Sequence, residues 1–201
     1  MSSTELCRKT GVFQKTAWLF RMKVLQAMES SDRHPLEGLV DVKKQNILKE
    51  IITKSGKKKT EKKQVIFGIE RKSNGVARVY CKMITDYLKK EFQQFVKKKI
   101  SKDSRIKSCQ WCSDQSGDLE NSYTFIKPVD QSNKEFGLIN RVTKRLQSWL
   151  SGMHCKVQHL QFYLNEFCYR HNRHIMKAEI FDDLLGRMMK HEPRPYLMII
   201  A

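Results

Sequence analysis

A mixed α/β domain is the predicted fold class, on three observations. The stretch from Lys63 to Ile84, KQVIFGIERKSNGVARVYCKMI, reads as two strands joined by a tight turn. The last third of the chain carries apolar residues at helical spacing, and two shorter helical patterns precede Pro35. A two-stranded hairpin cannot bury itself, so helices on either side of it in sequence must cover the sheet.

The elements follow in order. Ser3 or Thr4 caps a short helix through Lys9, Gly11 turns the chain, and a second helix runs from about Gln14 to Met28. Ala17, Trp18, Phe20, Val24, Leu25 and Met28 lie mainly on one side of that helix. Gln14, Lys15, Thr16 and Arg21 lie at or near its exposed N-terminal half. A short helix, a glycine turn and a longer helix with polar and basic groups at its start fit a partial helix-turn-helix over residues 1–34. Pro35-Leu36-Glu37-Gly38 reads as a linker, and Leu39 to Val42 begins a strand that Lys43, Lys44, Gln45 and Asn46 interrupt. Lys54 to Lys63, KSGKKKTEKK, reads as a charged loop, solvated or touching phosphates without sequence preference.

In the hairpin, Val65, Ile66, Phe67 and Ile69 form an apolar run suited to a strand covered on both faces. Ser73-Asn74-Gly75 supplies the turn. Ala77, Val79, Cys81 and Met83 then alternate with Arg78, Tyr80 and Lys82, as in a half-covered strand. Leu88, Phe92, Phe95, Val96 and Ile100 recur at helical spacing behind Thr85 or Asp86 as cap, and Arg105 to Trp111 resembles another short strand. Ser113 to Lys134 is polar and turn-rich. Three helical stripes follow: Ile139, Val142, Leu146, Trp149 and Leu150; Val157, Leu160, Leu164, Phe167 and Cys168; and Ile180, Phe181, Leu184, Leu185 and Met188, before Pro193 and Pro195.

Charge points to a class of partner. Lys and Arg outnumber Asp and Glu by 39 to 21, a net +18, with a pI near 9.7. Such a surplus favours a polyanion, first of all nucleic acid, against the alternative of a merely solvated basic surface. No apolar run is long enough to span a bilayer, no signal peptide is evident, and no membrane partner is expected. Cys7, Cys81, Cys109, Cys112, Cys155 and Cys168 are scattered and read as reduced thiols of an intracellular protein. Cys109-Gln-Trp-Cys112 supplies two of the four ligands that a zinc site needs, with His154, Cys155 and His159 further on, and no zinc is expected from it. Trp18, Trp111 and Trp149 read as core.

Several motifs resemble one family. GVFQKTAW (11–18), PLEG (35–38) and above all RVTKRLQSWLSGMHCKVQHLQFYLNEFCYRHNRH (141–174) are similar to the ISXO-type insertion-sequence transposases, the bacterial relatives of Merlin elements. FDDLLGRM (181–188) is similar to the closing helix of that family. The resemblance runs from Ser2 to Tyr196, and the chain begins beyond the zinc ribbon usual in the family, so it reads as N-terminally truncated. It implies an RNase H-like mixed sheet with covering helices over residues 35–201, ending in a helical tail. It also implies DDE chemistry, in which two Mg²⁺ ions held by carboxylates drive DNA transposition and recombination.

The family's catalytic positions, carried over along the resemblance, lack those carboxylates. The first acid falls on Lys43, with Lys44 beside it; the second falls on Cys109, the third position on Asn140, and a later helical lysine on Gln147. A protonated lysine cannot ligate Mg²⁺ and repels it. Asp41 and Asp114 are the candidate shifted acids, with Glu135 further on, though none occupies the right step. Arg170 and Arg173 either hold phosphates or face water beside Tyr169 and His171. The expectation is a bacterial, cytoplasmic, nucleoid-associated DNA-binding protein without strand-transfer activity and with no cofactor of its own. The alternatives are an interaction protein that pairs with a second copy or an intact related transposase, or an enzyme using the shifted acids.

Overall fold

The computed structural model describes residues 2–31, 33–52, 58–73, 75–84, 88–109, 112, 114–126, 137–152, 159–190, 192 and 199. Contacts divide the chain into two compact units, Ser30–Asn172 and Met1–Glu29 with Arg173–Ala201.

The larger unit is a mixed α/β fold around a five-stranded sheet, consistent in general terms with an RNase H-like arrangement. In chain order the strands are β1 (Leu39–Ile52), β2 (Lys58–Lys72), β3 (Gly75–Ile84), β4 (Arg105–Ser108) and β5 (Thr124–Ile126), arranged β3-β2-β1-β4-β5. β1, β2 and β3 are antiparallel, while β4 runs parallel to β1 and β5 parallel to β4. Helix α3 (Leu88–Lys99) makes the crossover, and α4 (Gly137–Ser151) and α5 (Leu160–Asn172) follow the sheet.

Side-chain alternation sorts the two faces of the sheet. Val40, Val42, Ile66 and Ile106 join Phe92, Phe95 and Val96 of α3 in one buried core. Asp41 and Lys43 lie on the other face of β1, and there Asn140 of α4 accepts a hydrogen bond from Lys43. Glycine at position 68 has a packing reason: a Cβ there would stand 3.0 Å from Leu36 Cδ1 and 3.1 Å from Phe95 Cζ.

Several expectations change here. β1 is continuous through Lys43–Asn46, because Lys43 finds a polar partner across the domain and the ladder to β2 does not depend on side-chain polarity. Lys58–Lys63 is strand rather than loop, paired with Ile47–Ile52. Residues 35–38 are stitched into the core: Leu36 is fully buried, bridges to Ile100, takes a hydrogen bond from Ser104 Oγ (3.0 Å) and donates its N–H to Lys99 O (2.7 Å). β3 is covered on both faces, since Val79 and Cys81 are buried as well as Tyr80 and Ile84. β5 emerges from the polar stretch after Ser113. Asn74, Thr85, Asp86, Trp111, Glu135, His154, Cys155, Val157, Pro193 and Pro195 lie outside the described residues, as do Lys54–Lys57 of the expected loop.

β3 is an edge strand, and α5 closes that edge. Asn172 Oδ1 accepts from Val79 N–H (2.8 Å) and its Nδ2 donates to Val79 O (2.9 Å). Gln161 Oε1 accepts from Met83 N–H (2.8 Å), and its Nε2 donates to Asn165 Oδ1 (2.8 Å) and Cys81 O (3.3 Å). Alternate residues of an edge strand expose their backbone groups, and Val79, Cys81 and Met83 are such a set. Gln161, Asn165 and Asn172 share one helical stripe, so two amides eleven residues apart span about 16 Å along the helix, matching about 13 Å of strand.

In the smaller unit α1 (Ser3–Thr10) is capped by Ser2, whose Oγ accepts from Glu5 N–H (3.1 Å), one residue earlier than expected. Gly11 ends it at φ 73°, a left-handed value that glycine adopts without a Cβ penalty. Helix α2 (Gln14–Ala27) buries Ala17, Met22, Leu25 and Gln26, while Phe20 is exposed and Trp18 only half-buried. Trp149 is likewise half-buried, tilted against Phe167 at 6.0 Å. Helix α6 (Ile180–Lys190) buries none of its residues.

Candidate functional site

Lys43 from the middle of β1, Cys109 just past the end of β4 and Asn140 in the first turn of α4 converge. The parallel pairing of Val42 with Ser108 sets the next residues of both strands side by side. Lys43 Nζ donates to Asn140 Oδ1 at 2.7 Å, and the negative charge that Cys109 can carry acts on the same ammonium. Burial pulls the Lys43 pKa below its ordinary value, and Cys109 opposes that shift.

Cys109 and Cys112 are both fully buried and sit 3.4 Å apart, sharing a hydrogen. That hydrogen bond, together with burial and the Cys109 charge, raises the Cys112 thiol well above the ordinary range. Gln147, seven residues past Asn140 on α4, is exposed, and so is Asp114. Asp41 lies on the Lys43 face of β1, fully buried. Its Oδ2 takes both Arg71 Nε (2.7 Å) and Arg71 Nη2 (2.6 Å).

A family model described as the ISXO2-like transposase domain matches residues 34–172, more than half of the chain. The chain belongs to this transposase-domain family. The ISXO2-like span ends at Asn172, the last residue of α5, which is also where the larger compact unit ends. A search of curated proteins finds no match.

Mg²⁺, which the family resemblance implies, does not fit the residues at this centre of the ISXO2-like domain. A hard dication requires oxygen donors with negative charge, whereas Lys43 brings a buried cation and Cys109 a thiol. The only oxygen of the three side chains belongs to Asn140, and it accepts from Lys43. Among the described residues no group of three His, Cys, Asp or Glu side chains could hold a metal ion. No described helix is long and apolar enough to cross a membrane.

The remaining candidates are spread over both units. Gln14, Lys15 and Thr16 form the exposed first turn of α2, with Arg21 half-buried further along; Gln14 Nε2 reaches Thr4 Oγ1 at 3.4 Å. Arg170 is exposed and pairs with Glu166 (2.8 Å), while Arg173 is largely buried and pairs with Asp183 (2.8 Å). Tyr169 is buried, and His171 stacks on Phe167 at 6.4 Å. Sequence reasoning missed the Asp41–Arg71 pair and the Gln161–Asn172 clamp. The sign of the clamp was available: two amides on a helix stripe that is otherwise suited to burial.

Proposed function

We propose that this protein is an insertion-sequence transposase relative that keeps DNA affinity and lacks strand-transfer activity. Residues 35–201 act as the RNase H-like transposase domain with its helical tail, and residues 1–34 as a partial helix-turn-helix. The single observation that carries the reading is the 2.7 Å bond from Lys43 Nζ to Asn140 Oδ1. The reading is supported because Lys43, at the position where the family resemblance calls for the first metal-bound carboxylate, is a cation, and its bond engages the side-chain oxygen of Asn140. Asp41, the nearest shifted acid, is held by Arg71, which argues against its service as a metal ligand.

DNA binding rests on charge. Beyond Asn46 and Gln64, β1 and β2 continue as a two-stranded ribbon that, among the described residues, pairs with neither β3 nor β4, and Lys62 and Lys63 stand on it. A two-stranded ribbon is narrow enough for the major groove. Gln14, Lys15, Thr16 and Arg21 on α2 are the second contact, and Arg170 and Arg173 are further candidates for phosphate contact. A protein of this kind works on DNA in the bacterial cytoplasm.

The test is a salt titration of binding to labelled duplex DNA. Binding that weakens steeply with salt, and a shallower slope for Lys15→Ala with Arg21→Ala, support the reading. Unchanged affinity and slope in that variant would remove α2 from the interface, and no binding at low salt would remove DNA as the partner.

A further inference from the structure

We propose that Cys109 and Cys112 form a redox-active dithiol, which a small peroxide closes reversibly to a disulfide beside Lys43. Both thiols are free, and their Sγ atoms stand 3.4 Å apart. A disulfide needs about 2.05 Å, so closure asks roughly 0.7 Å of each sulfur.

The surroundings hold the pair in place. β4 ends at Ser108, so Cys109 follows directly on the end of the strand. Backbone hydrogen bonds from Lys44 of β1 and from Cys109 reach the Cys112 sulfur. Both cysteines belong to the buried core that contains Val42, Ile106 and Leu119. Apolar filling alone needs no neighbouring cation, yet the Lys43 ammonium feels the charge that Cys109 can carry.

The two sulfurs have different parts. Lys43 favours the anion on Cys109, and a thiolate rather than a thiol attacks a peroxide. The Cys109 sulfur takes one oxygen as the O–O bond breaks. A sulfenic acid forms, and the other oxygen leaves as hydroxide and takes up the proton that Cys109 had released. Cys112 keeps its proton, because the hydrogen bond to Cys109 and burial raise its thiol well above the ordinary range. Its sulfur then attacks that of Cys109, the S–O bond breaks, and water leaves with the Cys112 proton. Two thiols become one disulfide, and one peroxide becomes two waters. An added dithiol reverses the closure by exchange.

Burial sets the size of the oxidant. Cys109 is 1% exposed and Cys112 0%, which suits hydrogen peroxide, a molecule little larger than water, and not a bulky disulfide. The inference requires neither DNA nor any residue of α2, so its failure is separable from failure of the DNA reading.

The test treats the folded full chain with hydrogen peroxide in the absence of DNA. The peroxide is quenched, remaining thiols are alkylated under denaturing conditions, and the peptides are mapped by mass. The expected result is a peptide carrying Cys109 and Cys112 that has lost two hydrogens and both alkylation sites. Dithiothreitol should restore both sites, and the oxidised protein should still melt as a folded one. Cys112→Ser should leave Cys109 as a sulfenic acid that a cyclic 1,3-diketone traps, and Lys43→Met should slow closure by roughly tenfold. The wild-type map decides even where a variant does not fold. Both cysteines still open to alkylation, or Cys109 carried to a sulfonic acid without a link, overturns the proposal. So does a link between Cys81 and Cys168, the hydrogen-bonded thiols of β3 and α5, formed while Cys109 and Cys112 stay reduced. A closure rate unchanged in Lys43→Met overturns the part given to Lys43.

Discussion

Lys43 Nζ lies 2.7 Å from Asn140 Oδ1, joining a strand and a helix that are 97 residues apart in sequence. The bond is charge-assisted and half-shielded from water, so it contributes more than a neutral surface pair. A double-mutant cycle with Lys43→Met and Asn140→Leu should give a coupling of about 1–3 kcal/mol, the double variant losing less than the two single variants together. Denaturant titrations of the four proteins measure it.

The same lysine makes stability depend on pH. Its folded pKa lies below the ordinary lysine value of 10.5, so between the two the unfolded chain binds more protons. The Lys43 contribution therefore rises with pH across that window. The Cys112 thiol works in the opposite direction: its folded pKa is raised, so its contribution is lost as pH climbs above 9.0. Comparing wild type with Lys43→Met isolates the lysine: the wild-type curve should rise relative to the variant as pH approaches 10.5.

The Asn172 and Gln161 clamps should matter in proportion to the backbone groups they satisfy. Asn172→Ala removes both partners of Val79 and is expected to cost about 2–3 kcal/mol; Gln161→Ala should cost a similar amount. Hydrogen exchange offers a sharper readout, because loss of protection should appear first at the Val79 and Met83 amides.

Asp41 separates a structural role from a catalytic one. Asp41→Ala takes a fully buried carboxylate away from a partly exposed Arg71, and a loss of about 2–3 kcal/mol is expected. A variant of wild-type stability would contradict the structural role.

Gly68→Ala tests the close approach of Leu36 and Phe95 to β2. The added methyl has to displace one of them, and a loss of about 1–3 kcal/mol in chemical denaturation is expected.

Much of this fold was legible where local pattern and tertiary demand agree. The Val65–Ile69 run, the stripes of α3, α4 and α5, and the motif resemblance across residues 141–174 all carry their meaning in neighbouring residues. β1 did not, because Lys43 and Lys44 look like a break until Asn140 is brought across the domain. The 35–38 segment read as a linker for the same reason: Leu36 owes its burial to Ile100 and Phe95. α6 failed in the opposite sense. Its stripe has helical spacing, but spacing alone does not distinguish a face turned to the core from one turned outward. At the candidate site, the convergence of Lys43, Cys109 and Asn140 depends on the parallel β1–β4 pairing, and no local signal announces that pairing.

The central claim is that the Lys43, Cys109 and Asn140 centre does not support metal-dependent chemistry while the protein still engages DNA. The most direct test titrates Mn²⁺ or Mg²⁺ against the full chain with end-labelled DNA, scoring binding and cleavage together. The account predicts salt-sensitive binding at every metal concentration and no cleavage. Metal-dependent nicking or joining that disappears in an Asp41→Ala protein shown to be folded would contradict it.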